Sequence, residues 1–165
     1  FHVRYNSIKK TYMYKLYLGR EIDPFLINYV GQHKFNFNFD KAKETLQYFI
    51  GEHDFSSFCS KNTSVEDKVR TIYSFKMDRD NQNDNIINFE ITGNGFLYNM
   101  VRIIIGTIQD VAAGKYEPEF IQEILDKKER SFAGPKADAS GLYLKEVLYD
   151  NDEVNEFIKT TLELY

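Results

Sequence analysis

Tryptophan is absent from these 165 residues, and cysteine occurs once, at Cys59. A single cysteine excludes an internal disulfide and a thiolate-clustered metal site, and leaves Cys59 as a small apolar filler. Histidine is nearly as scarce. His2, His33 and His53 are widely spaced with no His-x-x-x-His pair, so zinc has little support and no metal is expected. Basic excess is missing too. The 21 Lys and Arg face 25 Asp and Glu, a net charge of −4, against the usual balance of a nucleic-acid-binding domain. No long hydrophobic run is present: Met100–Ala113 is the longest apolar stretch, broken by Arg102 and Asp110 and too short to cross a bilayer. No signal peptide is visible at Phe1–Tyr5, and the reducing cytoplasm is the natural compartment. The chain opens without Met and in mid-pattern, as a fragment would.

What is present is a core. Hydrophobic residues make up 42% and aromatics 16%, all of the latter Phe and Tyr, which is too apolar for a disordered chain. Val3–Leu18 alternates with the two-residue period of a strand, and Asp23-Pro24 marks a turn. Phe25–Phe39 is aromatic but aperiodic and reads as a long loop. Asp40 is expected to cap a helix to about Ile50, with Ala42, Leu46 and Phe49 at helical spacing. Glu52–Ser60 reads as a compact turn. Val69–Met77 and Ile86–Thr92 are predicted strands joined as a hairpin across the Asn- and Asp-rich run 78–84. After Gly93-Asn94-Gly95 a long helix is predicted from Phe96 or Leu97 to Gly114, then another from Pro118 to about Lys127. Gly141–Tyr149 is a fourth strand, and Asn151–Leu164 a terminal helix. Strands and helices mix without strict alternation, which favours an α+β fold, an antiparallel sheet backed by helices, in one domain.

The most informative residue is Arg102. A helix apolar on nearly every face is buried, and a guanidinium inside it needs an anionic or carbonyl partner. Asp110 is eight residues on, about 12 Å along the axis, too far for an easy bond. Arg102 therefore wants a partner from elsewhere, either in an ion pair that fixes packing or to position a catalytic carboxylate. Gly93-Asn94-Gly95 reads either as a plain strand-to-helix turn or as an anion-binding turn at a helix start. It lacks the third glycine of a dinucleotide fingerprint, since Tyr98 stands there. Tyr12 and Tyr14 share a strand face beside Lys9-Lys10, as half-buried core or as a platform for an unpaired base. His53-Asp54 next to Ser56-Ser57 is discounted as a triad, because adjacent residues rarely face one another.

Five motifs then bring a resemblance. Phe1-His2-Val3-Arg4, Lys10-Thr11-Tyr12-Met13-Tyr14, Gly51–Phe58, Gly95–Arg102 with Gly106, and Gly141–Leu144 occur in order across nearly the whole chain. Together they resemble the C-terminal half of the tRNA pseudouridine synthase A (TruA) family. The resemblance implies a cofactor-free isomerase that turns uridine into pseudouridine in the anticodon stem-loop of tRNA, working as a homodimer. It implies Arg102 and Tyr12 as catalytic residues, Arg102 pairing with a nucleophilic aspartate. Tyr12, Tyr14, Lys10, Asn94 and Tyr98 are the candidate substrate-binding residues. The family's Gly-Arg-Thr-Asp motif is missing from these residues and is expected upstream of Phe1, so the chain alone is expected to be inactive. Two rivals remain: an RNA-binding module of related ancestry, and an α+β domain binding a small anion at Gly93–Gly95.

Overall fold

The structure, a computed structural model, describes residues 7–149 together with Glu156, Lys159 and Thr160. One long strand, β1 (Ser7–Leu18), organises it. β5 (Ile86–Gly93) runs antiparallel along one edge of β1, with Tyr12 opposite Ile91 and Lys10 opposite Gly93. Beyond it lies β4 (Val69–Arg79), and then β3 (Gly51–Asp54), each antiparallel to its neighbour. The other edge of β1 is shared. β6 (Leu142–Tyr149) covers Ser7–Tyr14, and β2 (Gly31–His33) covers Leu16–Leu18. Three helices, α1 (Phe39–Phe49), α2 (Met100–Ala112) and α3 (Phe120–Lys127), pack on one face of these six strands. The α+β class read from the sequence holds. The sheet is antiparallel with one exception, the short parallel pairing of β1 with β2.

The core follows from apolar stripes brought face to face. Tyr14 and Leu16 of β1, Phe89 and Ile91 of β5, and Ile72, Phe75 and Met77 of β4 meet α1 and α2. In α2, Ile103, Ile104, Ile105 and Ile108 are all fully buried, so this helix is the centre of the hydrophobic layer. On the opposite sheet face Lys145 pairs with Glu90 at 2.8 Å, which suits a side turned to water. Among the described residues no helix is long and apolar enough to cross a membrane.

Several local expectations shift, each for a physical reason. β2 and β3, three and four residues long, lie in segments read as loop and turn, because two-residue periodicity does not register over so short a span. In β4 the alternation changes phase: a register shift between Ile72 and Ser74 buries Ile72 and leaves Tyr73 about half exposed, although Tyr73 shares parity with Phe75 and Met77. The cap of α1 is Asn38, whose Oδ1 accepts from the Lys41 amide at 3.0 Å, two residues before the expected Asp40. α2 starts at Met100 rather than at Phe96 or Leu97, after Asn99 in the left-handed region at φ 60°. The terminal helix expected over 151–164 lies outside the described residues, save for helical Glu156, Lys159 and Thr160.

Candidate functional site

The face of β1 that carries Tyr12 and Tyr14 ends in two different surroundings. Tyr14 is 1% exposed, and its hydroxyl donates to the Asp138 carbonyl at 2.8 Å. Its ring passes between Gly31 and Gly141: a Cβ on Gly31 would overlap the phenol oxygen, and one on Gly141 would come within 2.6 Å of the ring carbon Cζ. Burial, with Asp138 adding to it and Arg102 opposing it, pushes the Tyr14 phenol well above its ordinary value. The ring offers almost no exposed surface. Tyr14, expected among the substrate-binding residues, is placed in the core with a satisfied hydroxyl, because two glycines let the chain close over it.

Arg102 is anchored from the same side. The strap Ala133–Asp138 lies flat on α2, since a Cβ on Gly106 would overlap the Pro135 carbonyl. Thr107 Oγ1 accepts from the Gly134 amide at 2.9 Å. Ala137 then meets Arg102 twice, its amide donating to the Arg102 carbonyl at 2.9 Å and its carbonyl accepting from Arg102 Nε at 2.8 Å. Arg102 Nη1 reaches Asn99 Oδ1 at 3.3 Å. Both acceptors are neutral. Among the described residues no carboxylate pairs with Arg102. Asp110, the only acid on its helix, faces Lys115 at 3.9 Å, with its carboxyl pushed up by burial against the pull of Lys115 and His33. A half-buried cation is thus aimed by two carbonyl-type bonds, with the rest of its fork uncommitted.

Tyr12, by contrast, opens into a cleft of about 970 Å³. β1 supplies Lys10 and Tyr12, β4 supplies Arg70, the 62–67 loop forms one wall, and the segment Asn94–Asn99 forms another. The Tyr12 ring stands edge-on to Phe96, centroids 5.1 Å apart at 87°. Tyr98 is 59% exposed at the rim. Asn94 prolongs the β4–β5 ladder, its amide donating to the Thr71 carbonyl at 3.0 Å and its Oδ1 accepting from the Thr71 amide at 2.9 Å. Gly93-Asn94-Gly95 therefore finishes a strand, five residues short of the helix, and does not form an anion cradle at the start of α2. Asn99 ties the cleft to the arginine: its Nδ2 donates to Ser60 Oγ at 2.9 Å while its Oδ1 receives Arg102.

Of the residues singled out from the sequence, Lys10, Tyr12, Asn94 and Tyr98 line one cleft, and Arg102 stands one hydrogen bond behind its wall. Arg70, Asn99 and Ser60 were not anticipated. Only Asn99 carried a local signal, since asparagine tolerates the left-handed conformation that starts α2. His33 is satisfied internally by Gln109 and the Asn36 carbonyl, at 3.0 and 3.1 Å. Among the described residues no group of three His, Cys, Asp or Glu could hold a metal.

An α+β core thus sets an anchored arginine beside a polar, aromatic-rimmed cleft. The sequence profile of the tRNA pseudouridine synthases matches residues 45–150, and the chain belongs to that family. Its relatives place it in branch A. It is 50% identical over 151 residues to tRNA pseudouridine synthase A 1 of Bacillus cereus (strain ATCC 14579), across 92% of this chain and 60% of that protein. It is 46% identical, with the same coverage, to tRNA pseudouridine synthase A of Anoxybacillus flavithermus. The chain thus spans about 60% of the length of the curated relatives it matches. Likeness to a solved structure, the Cbf5-Nop10-Gar1 complex, is distant: TM-score 0.43 at 12% identity, over 89% of this chain and 33% of that one.

Proposed function

We propose that this chain is one domain, the arginine-bearing half of the catalytic core of a tRNA pseudouridine synthase that isomerises uridine in the anticodon stem-loop. The observation that carries the reading is Arg102, a cation fixed by the Ala137 carbonyl and Asn99 and left without a carboxylate among the described residues. Its natural partner is the nucleophilic aspartate of the family, whose Gly-Arg-Thr-Asp motif these residues do not contain. A guanidinium beside that carboxylate holds it ionised and oriented at neutral pH.

The target uridine enters the cleft flipped out of its stack, against Tyr12. The aspartate attacks the nucleoside, the bond from C1′ to N1 breaks, the base turns, and a bond from C1′ to C5 replaces it. Tyr12 assists removal of the C5 proton, and N1 ends protonated. Nothing is oxidised or reduced, so the reaction needs no cofactor. Lys10, Asn94 and Tyr98 contact the RNA around the base. The acidic net charge does not oppose this, because RNA is met locally, where Lys10 and Arg70 line the cleft. The intact enzyme is a cytoplasmic homodimer with tRNA lying across both subunits.

Release of tritium from tRNA labelled at uridine C5 tests the reading. The intact protein is expected to turn over and this chain alone to be inert. In the intact protein, Arg102→Ala should abolish release while tRNA binding survives. Turnover by the isolated chain, or full activity of the Arg102→Ala enzyme, overturns the assignment. Binding without turnover by the intact protein means an RNA-binding module instead.

A further inference from the structure

A second polar recess, about 390 Å³, lies next to the cleft, and the loop Cys59–Lys68 contributes to both. Four cations line it, Lys61, Lys68, Lys128 and Arg130, against a single lining acid, Glu129. None of the four is ion-paired among the described residues. Asp54 lies within electrostatic reach of Lys128 and Lys68, and it is engaged by the Ser56 hydroxyl and amide. Burial pushes the Asp54 carboxyl up, while those bonds, with Lys128 and Lys68 behind them, outweigh it and hold the group low. In a chain with four more acids than bases, four cations around one hollow with one lining acid leave an excess of positive charge there, an electrostatic demand for an anion.

The backbone sharpens the point. Only two non-glycine residues among those described have positive φ: Asn99, on the wall of the cleft, and Lys128 at φ 55°, on the recess. Lys128 ends α3, where glycine is the ordinary solution. A lysine held in the left-handed region there is strained for no packing gain, since it is exposed. Ser60 links the two hollows: it lines the recess, its amide donates to the Tyr98 carbonyl at 3.1 Å, and its hydroxyl takes the Asn99 amide.

We propose that this recess seats a backbone phosphate of the RNA whose target base occupies the cleft. The inference rests on the RNA reading above and adds a subsite to it. Phosphate contacts fix register without reading sequence, so the recess would set which nucleotide faces Tyr12.

Binding of a fluorescent anticodon stem-loop RNA to the intact protein across a salt series tests it, using Lys68→Ala and Lys128→Gly. Each variant is expected to weaken binding about fivefold at 0.1 M salt and to flatten the log–log salt slope by roughly 0.7. Lys128→Gly should meanwhile keep or raise the melting midpoint, because glycine is unstrained at that φ, so weaker binding is not misfolding. Wild-type affinity and slope in both variants overturn the phosphate subsite and leave the synthase reading standing. Failure of the wild-type protein to bind the RNA overturns both.

Discussion

Tyr12 and Tyr14 sit two residues apart on one face of one strand, yet one opens on a cleft and the other is sealed in the core. Their difference is made by what crosses over each ring. Above Tyr14 two glycines, Gly31 and Gly141, let neighbouring backbone close on the phenol, and the Asp138 carbonyl takes its hydroxyl. Above Tyr12 the segment Gly95–Asn99 leaves β5 and turns away toward α2, so the ring meets Phe96 at 87° and the cleft stays open. A place on a strand face is thus not sufficient to make a binding residue. The sealed end supplies rigidity, and through the strap that carries Ala137 it aims Arg102 toward the open end.

The comparison breaks most sharply at the sealed end. Gly141→Ala would place a Cβ within 2.7 Å of two backbone atoms, the Gly31 amide nitrogen and the Lys15 carbonyl oxygen, neither of which can rotate away. Urea unfolding should show a loss of about 3 kcal/mol. A loss under 1 kcal/mol would mean that the closure over Tyr14 is loose. Tyr14→Phe removes the donor to the Asp138 carbonyl and should cost about 1–2 kcal/mol by the same measurement, leaving RNA affinity nearly unchanged.

At the open end the balance inverts. Tyr12→Leu gives up an edge-to-face ring contact, about 1 kcal/mol of stability. It also removes a stacking surface that should weaken stem-loop RNA binding by about 1–3 kcal/mol. If stability fell by much more than affinity, Tyr12 would belong with Tyr14 as core. The smallest effect concerns Asp110. Its folded pKa is raised, so its contribution to stability is fully present below the unfolded value of 3.8 and is lost as pH rises through the folded value. Asp110→Asn should therefore leave the melting midpoint unchanged near pH 3 and raise it slightly at pH 7, which thermal scans at the two pH values will show.

Much of this was legible from local pattern. Alternation located β1 and β4, with β5 and β6 read as strands beside them, and an all-round apolar stretch with one arginine located α2 and its odd cation. Strands of three and four residues are too short to write a period, and a bulge at Tyr73 moved the buried face of β4 by one residue without any change in composition. Arg70 and Ser60 joined the candidate site only because distant loops converge on it, a fact no window of neighbouring residues contains.

The sequence by itself determined the α+β class, the buried helix, and a guanidinium with no carboxylate partner on its own helix. It did so because burial periodicity and the cost of an unpaired charge act within a few residues. Tertiary structure alone decided that Tyr12 faces a cleft while Tyr14 is buried, and that Ala137, 35 residues from Arg102, holds its guanidinium. Those outcomes depend on which backbone crosses which ring, and chain crossings are set by contacts between segments far apart in sequence.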